Sequence, residues 1–320
     1  MKPLGRTLGI ALAFTGASLF GAMAARAESR IEKNLRLEPG GAFRLETDLG
    51  WVKVRGTDRS GARIIVTSKR DDLNELLSFR FDEGSGSVTV VARKKHPLSS
   101  LFSVRGNSVG FEIEVPSKTS VAVETSGGSI ALAALAAEAK LETSGGGIEV
   151  RDHAADLVAH TSGGSISLSH IGGKCKVDTS GGGITAEGIE GTLDAESSGG
   201  SLDFERVRGD IHAHTSGGGI QIRDAGGRID ADTSGGSVEV VFARGNARGG
   251  TIESSGGGVS VAVDPTVGLA IDASGNSVHA DIPVTVRGEI SRNHLKGTLG
   301  VGGETLRLHT SGGSVHIRAL

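Results

Sequence analysis

Eight ionisable residues each stand one position ahead of a Thr-Ser-Gly-Gly or Ser-Ser-Gly-Gly tetrapeptide. They are Glu124, Glu142, His160, Asp178, Glu196, His214, Asp232 and Glu253. If the tetrapeptides stack, these side chains form an outward ladder with about 4.8 Å per rung. His160 then lies between Glu142 and Asp178, and His214 between Glu196 and Asp232. Acid meets acid at Glu124/Glu142, Asp178/Glu196 and Asp232/Glu253. Such a ladder is expected to respond to protons and to divalent cations such as Ca²⁺, which bridge carboxylates. The plainer alternative is a solvated charged face, worth ~0–1 kcal/mol per pair.

Other chemistries fail on residue type or spacing. The hydroxyls of Thr125, Thr143, Thr161, Thr179, Ser197, Thr215 and Thr233 share parity with apolar neighbours. They are therefore expected to point inward and to bond each other or the corner backbone, not to form an ice-binding face. Calcium-binding nonapeptide solenoids need an Asp after the glycines, and none follows here. Histidines such as His153, His160, His170, His212 and His214 are scattered and read as solvated. His212 and His214 point the same way, three coils from His160, yet a metal needs three or four convergent ligands. Cys175 occupies a position held elsewhere by Leu157 and Leu193, so it reads as a small buried hydrophobe. The segment Gly172-Gly-Lys-Cys175 lacks the Walker pattern, and no nucleophile elbow or HExxH occurs. A polysaccharide-cleaving site needs converging carboxylates in a groove bordered by loops. The expectation is no catalytic residue, no cofactor and no metal, unless carboxylates and a histidine converge beside the 279–309 insertion.

The elements that position the ladder follow from a repeat. Seven tetrapeptides, at Thr125, Thr143, Thr161, Thr179, Ser197, Thr215 and Thr233, are spaced by 18 residues without a slip. Ser254 follows after 21 residues, a degenerate Ala273-Ser-Gly-Asn after 19, and Thr310 after a long insertion. A fixed short period signals a solenoid. Within each period apolar residues alternate, as in Ile148/Val150, Ile166/Leu168 and Ile220/Ile222. A third apolar residue often follows, such as Ile171, Ile189 or Val207. A second alternating set ends at the Thr, as in Leu157/Ala159/Thr161. Period-two alternation means strands with one face inward, two per coil, joined at a glycine corner. Glycine is expected there for backbone conformations that a side chain disfavours. The run Ala131–Lys140 favours a helix by propensity. The register instead sets Ile130 and Leu132 on one strand and Ala139 and Leu141 on the next.

The 28–117 part reads as irregular coils of the same solenoid, and 118–320 as its regular part. Phe43/Leu45/Thr47 and Val52/Val54 repeat the coil pattern. Asp71–Leu77 reads as a short helix, and Lys94–Gly110 and Ser291–Gly303 as loops. The fold class is all-β, a parallel β-solenoid with ~18-residue coils. Roughly 10 to 12 coils would make a rod of roughly 50–60 Å.

Composition agrees. Glycine supplies 52 of 320 residues, while nine Phe, one Trp and no Tyr leave little aromatic core. The glycines lack the every-third period of collagen. A net charge of −3 excludes a strongly cationic nucleic-acid binder. Residues 1–27 read as a cleaved secretory leader: Lys2 and Arg6, the apolar run Leu8–Phe20, then Ala25-Arg-Ala27. No second apolar stretch is long enough to span a membrane. The chain also lacks a C-terminal membrane barrel. One cysteine permits no internal disulfide.

The order of these features is Phe43–Gly56, an Asp/Glu/Leu-rich insert, a strand ending Val115-Pro116, and the stacked T-S-G-G-x-I coils. It resembles the bacterial "putative adhesin" family, domain of unknown function 4097. In that family the corner is often Ser-Asn-Gly; here it is mostly Ser-Gly-Gly. The resemblance implies a β-solenoid and an envelope or extracellular location, and it supplies no catalytic residue. The expected function is a non-enzymatic, exported module of the periplasm or cell surface. It would bind an envelope glycan or a surface protein. The alternatives are a structural or stress-related envelope component without its own ligand and, last, a carbohydrate-active enzyme.

Overall fold

The computed structural model describes residues 29–69, 73–95 and 109–320. The leader therefore lies outside the described residues, as do Asp71, Asp72 and most of the Lys94–Gly110 segment. Two long sheets form the faces of a flattened solenoid, each with twelve parallel strands in one row. One coil shows the logic. Leu157–Thr161 lies in one sheet, a Ser-Gly-Gly corner follows, Ile166–Ile171 lies in the other, and a short turn leads to Cys175–Thr179. Alternation buries Leu157, Ala159, Thr161, Ile166 and Leu168 between the sheets, where Ile171 joins them. Each large aliphatic residue so buried contributes about 1.5–3 kcal/mol. In the regular coils stacking pairs a strand residue with the one 18 positions on, as in Leu157 with Cys175 and Ile166 with Ile184. The Ala131–Lys140 run obeys this register and forms strands Ile130–Ala133 and Ala139–Thr143. Stacking on both sides overrides its helical propensity.

The corner hydroxyls point inward and bond backbone. Thr161 Oγ1 donates to Gly146 O of the preceding coil at 2.7 Å and accepts from Gly164 N at 3.2 Å. The same pair of bonds recurs at Thr179, Ser197, Thr215 and Thr233. The reason for glycine differs from the expectation. No corner glycine of the tetrapeptides has a positive φ. The second glycine instead lies against the coil below: a Cβ on Gly200 would stand 2.0 Å from Gly182 O. Close approach, not backbone conformation, excludes a side chain.

Left-handed backbone occurs elsewhere, at Ala134, Asp152, His170, Gly188, Arg206 and Asp224, with φ from 51 to 67°. This residue reverses the in–out parity at the end of the strand. The next one, Leu135, His153, Ile171, Ile189, Val207 or Ala225, therefore turns into the core.

The stacking order departs from chain order at both ends. The coil of Ala42–Thr47 and Trp51–Thr57 lies between those of Ser87–Lys94/Val109–Pro116 and Ser120–Thr125/Ile130–Ala133. The last coil, Thr305–Thr310 and Ser314–Ala319, slots between Gly250–Ser254/Val259–Val263 and Leu269–Ser274/Ser277–Asp281. Antiparallel strands close the ends. Leu77–Gly84 covers one sheet, and Ala62–Ser68 with Ser29–Leu35 covers the other. At the far end Val284–Ser291 and His294–Leu299 form a hairpin on Leu269–Ser274. The expected loop at Ser291–Gly303 is thus largely a strand, with Leu295 and Leu299 buried. Gly297 at the inward position between them interrupted the apolar signal. The only α-helix among the described residues is Leu73–Leu76, and none is long and apolar enough to cross a membrane.

Candidate functional site

The ladder residues are consecutive neighbours on one outer face. Glu124, Glu142, His160, Asp178, Glu196, His214, Asp232 and Glu253 pair rung to rung in register. The parallel register alone does this, because each occupies the same place in its coil. Two further members escaped the sequence reading. Glu46 lies beside Glu124, and His309 beside Glu253. Each also precedes a threonine, Thr47 or Thr310. That signal was present, but linear order concealed which coils adjoin.

Each ladder histidine turns toward the following coil. His160 Nδ1 meets Asp178 Oδ1, and His214 Nδ1 lies 2.9 Å from Asp232 Oδ2. Glu142 is engaged within its own strand by Lys140 at 2.7 Å. At the N-terminal end Glu46 takes a bond from Arg44 at 2.8 Å and a second contact from Arg93. The Arg44 hydrogen bond holds its carboxyl below the usual carboxylate range. Toward the C-terminal end the adjoining column is also acidic. Asp194, Glu196, His212, His214, Asp230, Asp232 and Glu253 line a depression of about 250 Å³. His212 stands 3.7 Å from Asp230, which Arg228 also approaches at 3.3 Å. The face is therefore most acidic over the Asp194–Glu253 coils, with Arg44 and Lys140 on one side of them and Arg307 and His309 on the other.

The remaining candidates fall into place. His170 is exposed, 3.2 Å from Asp152. His153 is not solvated, contrary to expectation. It is 1% exposed, because left-handed Asp152 turns it into the core. Cys175 is buried between Leu157 and Leu193, and burial, helped by Asp156, pushes its thiol up to about 12. Beside the 279–309 segment two imidazoles meet one carboxylate. Asp281 lies 2.8 Å from His316 and 3.4 Å from His279. The His316 hydrogen bond lowers its pKa, and the charge of His279 adds to this. Among the described residues no group of three or more His, Cys, Asp or Glu side chains is placed to hold a metal ion.

Stacked parallel coils with hydroxyl-stapled glycine corners define a β-solenoid protein. The chain matches the family Toastrack DUF4097 over residues 44–318, and it belongs to that family. Among solved structures it is similar to a "putative adhesin" of Bacteroides fragilis, with 9% identity and TM-score 0.30, covering 92% of this chain and 99% of that one. A "putative lipid binding protein" of Parabacteroides distasonis shows 13% identity and TM-score 0.37, covering 91% and 96%. A "putative adhesin" of Parabacteroides merdae shows 13% identity and TM-score 0.37, covering 74% and 92%. No curated protein matches the chain.

Proposed function

We propose that this protein is a non-enzymatic, exported binding module for a repetitive envelope polymer, a glycan foremost. The observation that carries this reading is the unbroken twelve-coil stack, which repeats outward columns such as the Glu46–His309 ladder at coil spacing. A periodic surface can engage a periodic polymer at many points, and avidity then multiplies weak contacts. The leader at 1–27 supports export to the periplasm or cell surface. The acidic ladder disfavours nucleic acid, whose phosphates it repels. Cleavage of a glycoside needs two carboxylates astride the bond, whereas Asp281 is a single carboxylate between two histidines.

A structural role without a ligand is the second reading. It is favoured by charges that satisfy one another between coils, as in Arg223–Asp203 at 2.9 Å and Arg208–Asp224 at 3.3 Å. The test is an array of glycans and peptidoglycan fragments probed with purified mature protein. Retention that rises with polymer length supports the binding reading. No retention at any length overturns it in favour of the structural one, and release of new reducing ends would make the protein an enzyme.

A further inference from the structure

The two ends of the stack are finished differently. At the far end the hairpin turn folds over the edge strand Ser277–Asp281. Arg292 O accepts from Val278 N at 2.9 Å, and Asn293 O from Gly275 N just ahead of the strand at 3.1 Å. At the end where the chain starts, the sheets stop on Ser29–Leu35 and Leu77–Gly84. Neither strand has a second neighbour among the described residues. Edges of seven and eight residues present rows of unpaired N–H and C=O groups, a template for another chain.

These two edges form a step. Beyond the coil of Ser87–Lys94 and Val109–Pro116, one sheet adds Ala62–Ser68 and then Ser29–Leu35, while the other adds only Leu77–Gly84. Ser29–Leu35 therefore overhangs by one strand. Its inner face carries Ile31, Lys33 and Leu35, of which Lys33 is exposed and the others half-buried. Phe79 and Phe81 on the shorter side are also half-buried, their rings stacked with centroids 6.0 Å apart. Lys33 Nζ lies 5.9 Å from the Phe81 centroid, and Arg36 N donates to Glu83 Oε1 at 3.4 Å. Along the strand direction Lys33 is thus level with Phe81, Ile31 with Phe79, and Leu35 with Glu83.

The two edge strands run the same way. Two antiparallel pairings bring Ser29–Leu35 parallel to Val109–Pro116. Leu77–Gly84 runs against Ser87–Lys94, the other half of that coil, which itself runs against Val109–Pro116. A second copy turned by half a turn about the strand direction therefore fits the step. That rotation exchanges the two layers but keeps strand direction and level. Each Ser29–Leu35 then lies in the layer of the other copy's Leu77–Gly84, edge to edge and parallel. Ile31 stands beside Phe79 of the second copy and Lys33 beside its Phe81, with its Glu83 on the diagonal. An ammonium beside an aromatic ring is attractive, and the overhanging apolar face is covered. The charges are complementary as well. Ser29–Leu35 carries Arg30 and Lys33 against Glu32, and Leu77–Gly84 carries Arg80 against Asp82 and Glu83. The contact is isologous, so it closes at two copies.

We propose that two mature copies join end to end at this step, Ser29–Leu35 of each against Leu77–Gly84 of the other, as a two-fold dimer. The proposal is independent of what the outer faces bind. Sedimentation equilibrium and small-angle scattering on untagged mature protein, over a concentration series, supply the test. The expected result is a reversible monomer–dimer equilibrium in which the longest dimension roughly doubles. Lys33→Glu changes an exposed side chain and sets carboxylate against carboxylate across the joint. It should weaken the dimer by about tenfold or more, and adding Glu83→Lys should restore it to within about threefold. Circular dichroism melts check that each variant is folded. A monomer at every concentration up to the millimolar, as cover by another part of the same chain would give, overturns the proposal. So does a dimer whose longest dimension does not grow, growth beyond two copies, or a Lys33→Glu loss that Glu83→Lys fails to restore.

Discussion

Replacing His153 with isoleucine is expected to stabilise the protein, and more so in mild acid. The side chain is 1% exposed, one row from Ile171 in the core column of Leu135, Ile171 and Ile189. Its Nε2 donates to Asp156 O at 3.1 Å, while its Nδ1 has no partner. A buried acceptor left unpaired costs about 1–3 kcal/mol, and the bond lost with Nε2 contributes about 1 kcal/mol. Asp156 O keeps the amide of Ala139, at 3.1 Å, so the substitution orphans nothing. The net gain at neutral pH is about 0–2 kcal/mol.

The pH dependence follows from burial. Desolvation lowers the His153 pKa below the ordinary histidine value of 6.5, with the Asp156 carbonyl opposing in part. Below that ordinary value the unfolded chain binds a proton that the folded chain does not. Stability is therefore full above about pH 6.5 and is lost as pH falls toward the folded pKa, at up to about 1.4 kcal/mol per pH unit. His153→Ile removes this loss. Urea midpoints of both proteins at pH 7.5 and 5.5 supply the check. The variant should be the more stable at each pH, with the larger gap at 5.5. A variant weaker at both values, or a gap that does not widen in acid, would refute the reasoning.

Three further outcomes are expected. Gly200→Ala should cost more than about 2 kcal/mol, since its Cβ would meet Gly182 O at 2.0 Å, whereas Gly199→Ala, with 3.5 Å to Gly181 O, should cost under about 1 kcal/mol; equal urea midpoints would show that the corner can open. Ile220→Asp places a carboxylate between Leu202 and Val238 in mid-stack and should cost several kcal/mol or abolish cooperative unfolding; a loss below about 1 kcal/mol would contradict the inward register. Cys175, its thiol raised to about 12, should ignore thiol reagents at pH 8 when folded and react once denatured; rapid native labelling would place it at the surface.

The period of 18 residues made the regular coils legible, because parallel stacking converts a sequence interval directly into a spatial neighbour. Seven of the eight ladder residues, Glu124 to Asp232, are adjacent for that reason, and Glu253 joins them after an interval of 21. What escaped was whatever breaks the translation. Asp152 takes a left-handed conformation, so alternation puts His153 outside when it is inside. Glu46 and His309 join the ladder through coils that are remote in sequence, which no interval of 18 can reveal. The corner glycines were identified correctly but explained by the wrong force. Composition does not distinguish a turn that needs positive φ from one pressed against its neighbour.

The out-of-order coils answer the weakness of every repeat stack, its ends. A linear array is held by nearest-neighbour interfaces, so a terminal coil frays with half the contacts of an internal one. Here neither chain-terminal coil is at the end of the stack. The last one bonds backward through Thr310 Oγ1 to Gly257 O at 2.6 Å and through Leu320 N to Val263 O at 3.0 Å. It also pairs forward with Leu269–Ser274 and Ser277–Asp281. Peeling it away therefore breaks two interfaces at once, and the end coil it supports is further held by the 284–299 hairpin. The cost is kinetic: the C-terminal coil must find a gap between two earlier ones, a non-local closure that slows folding.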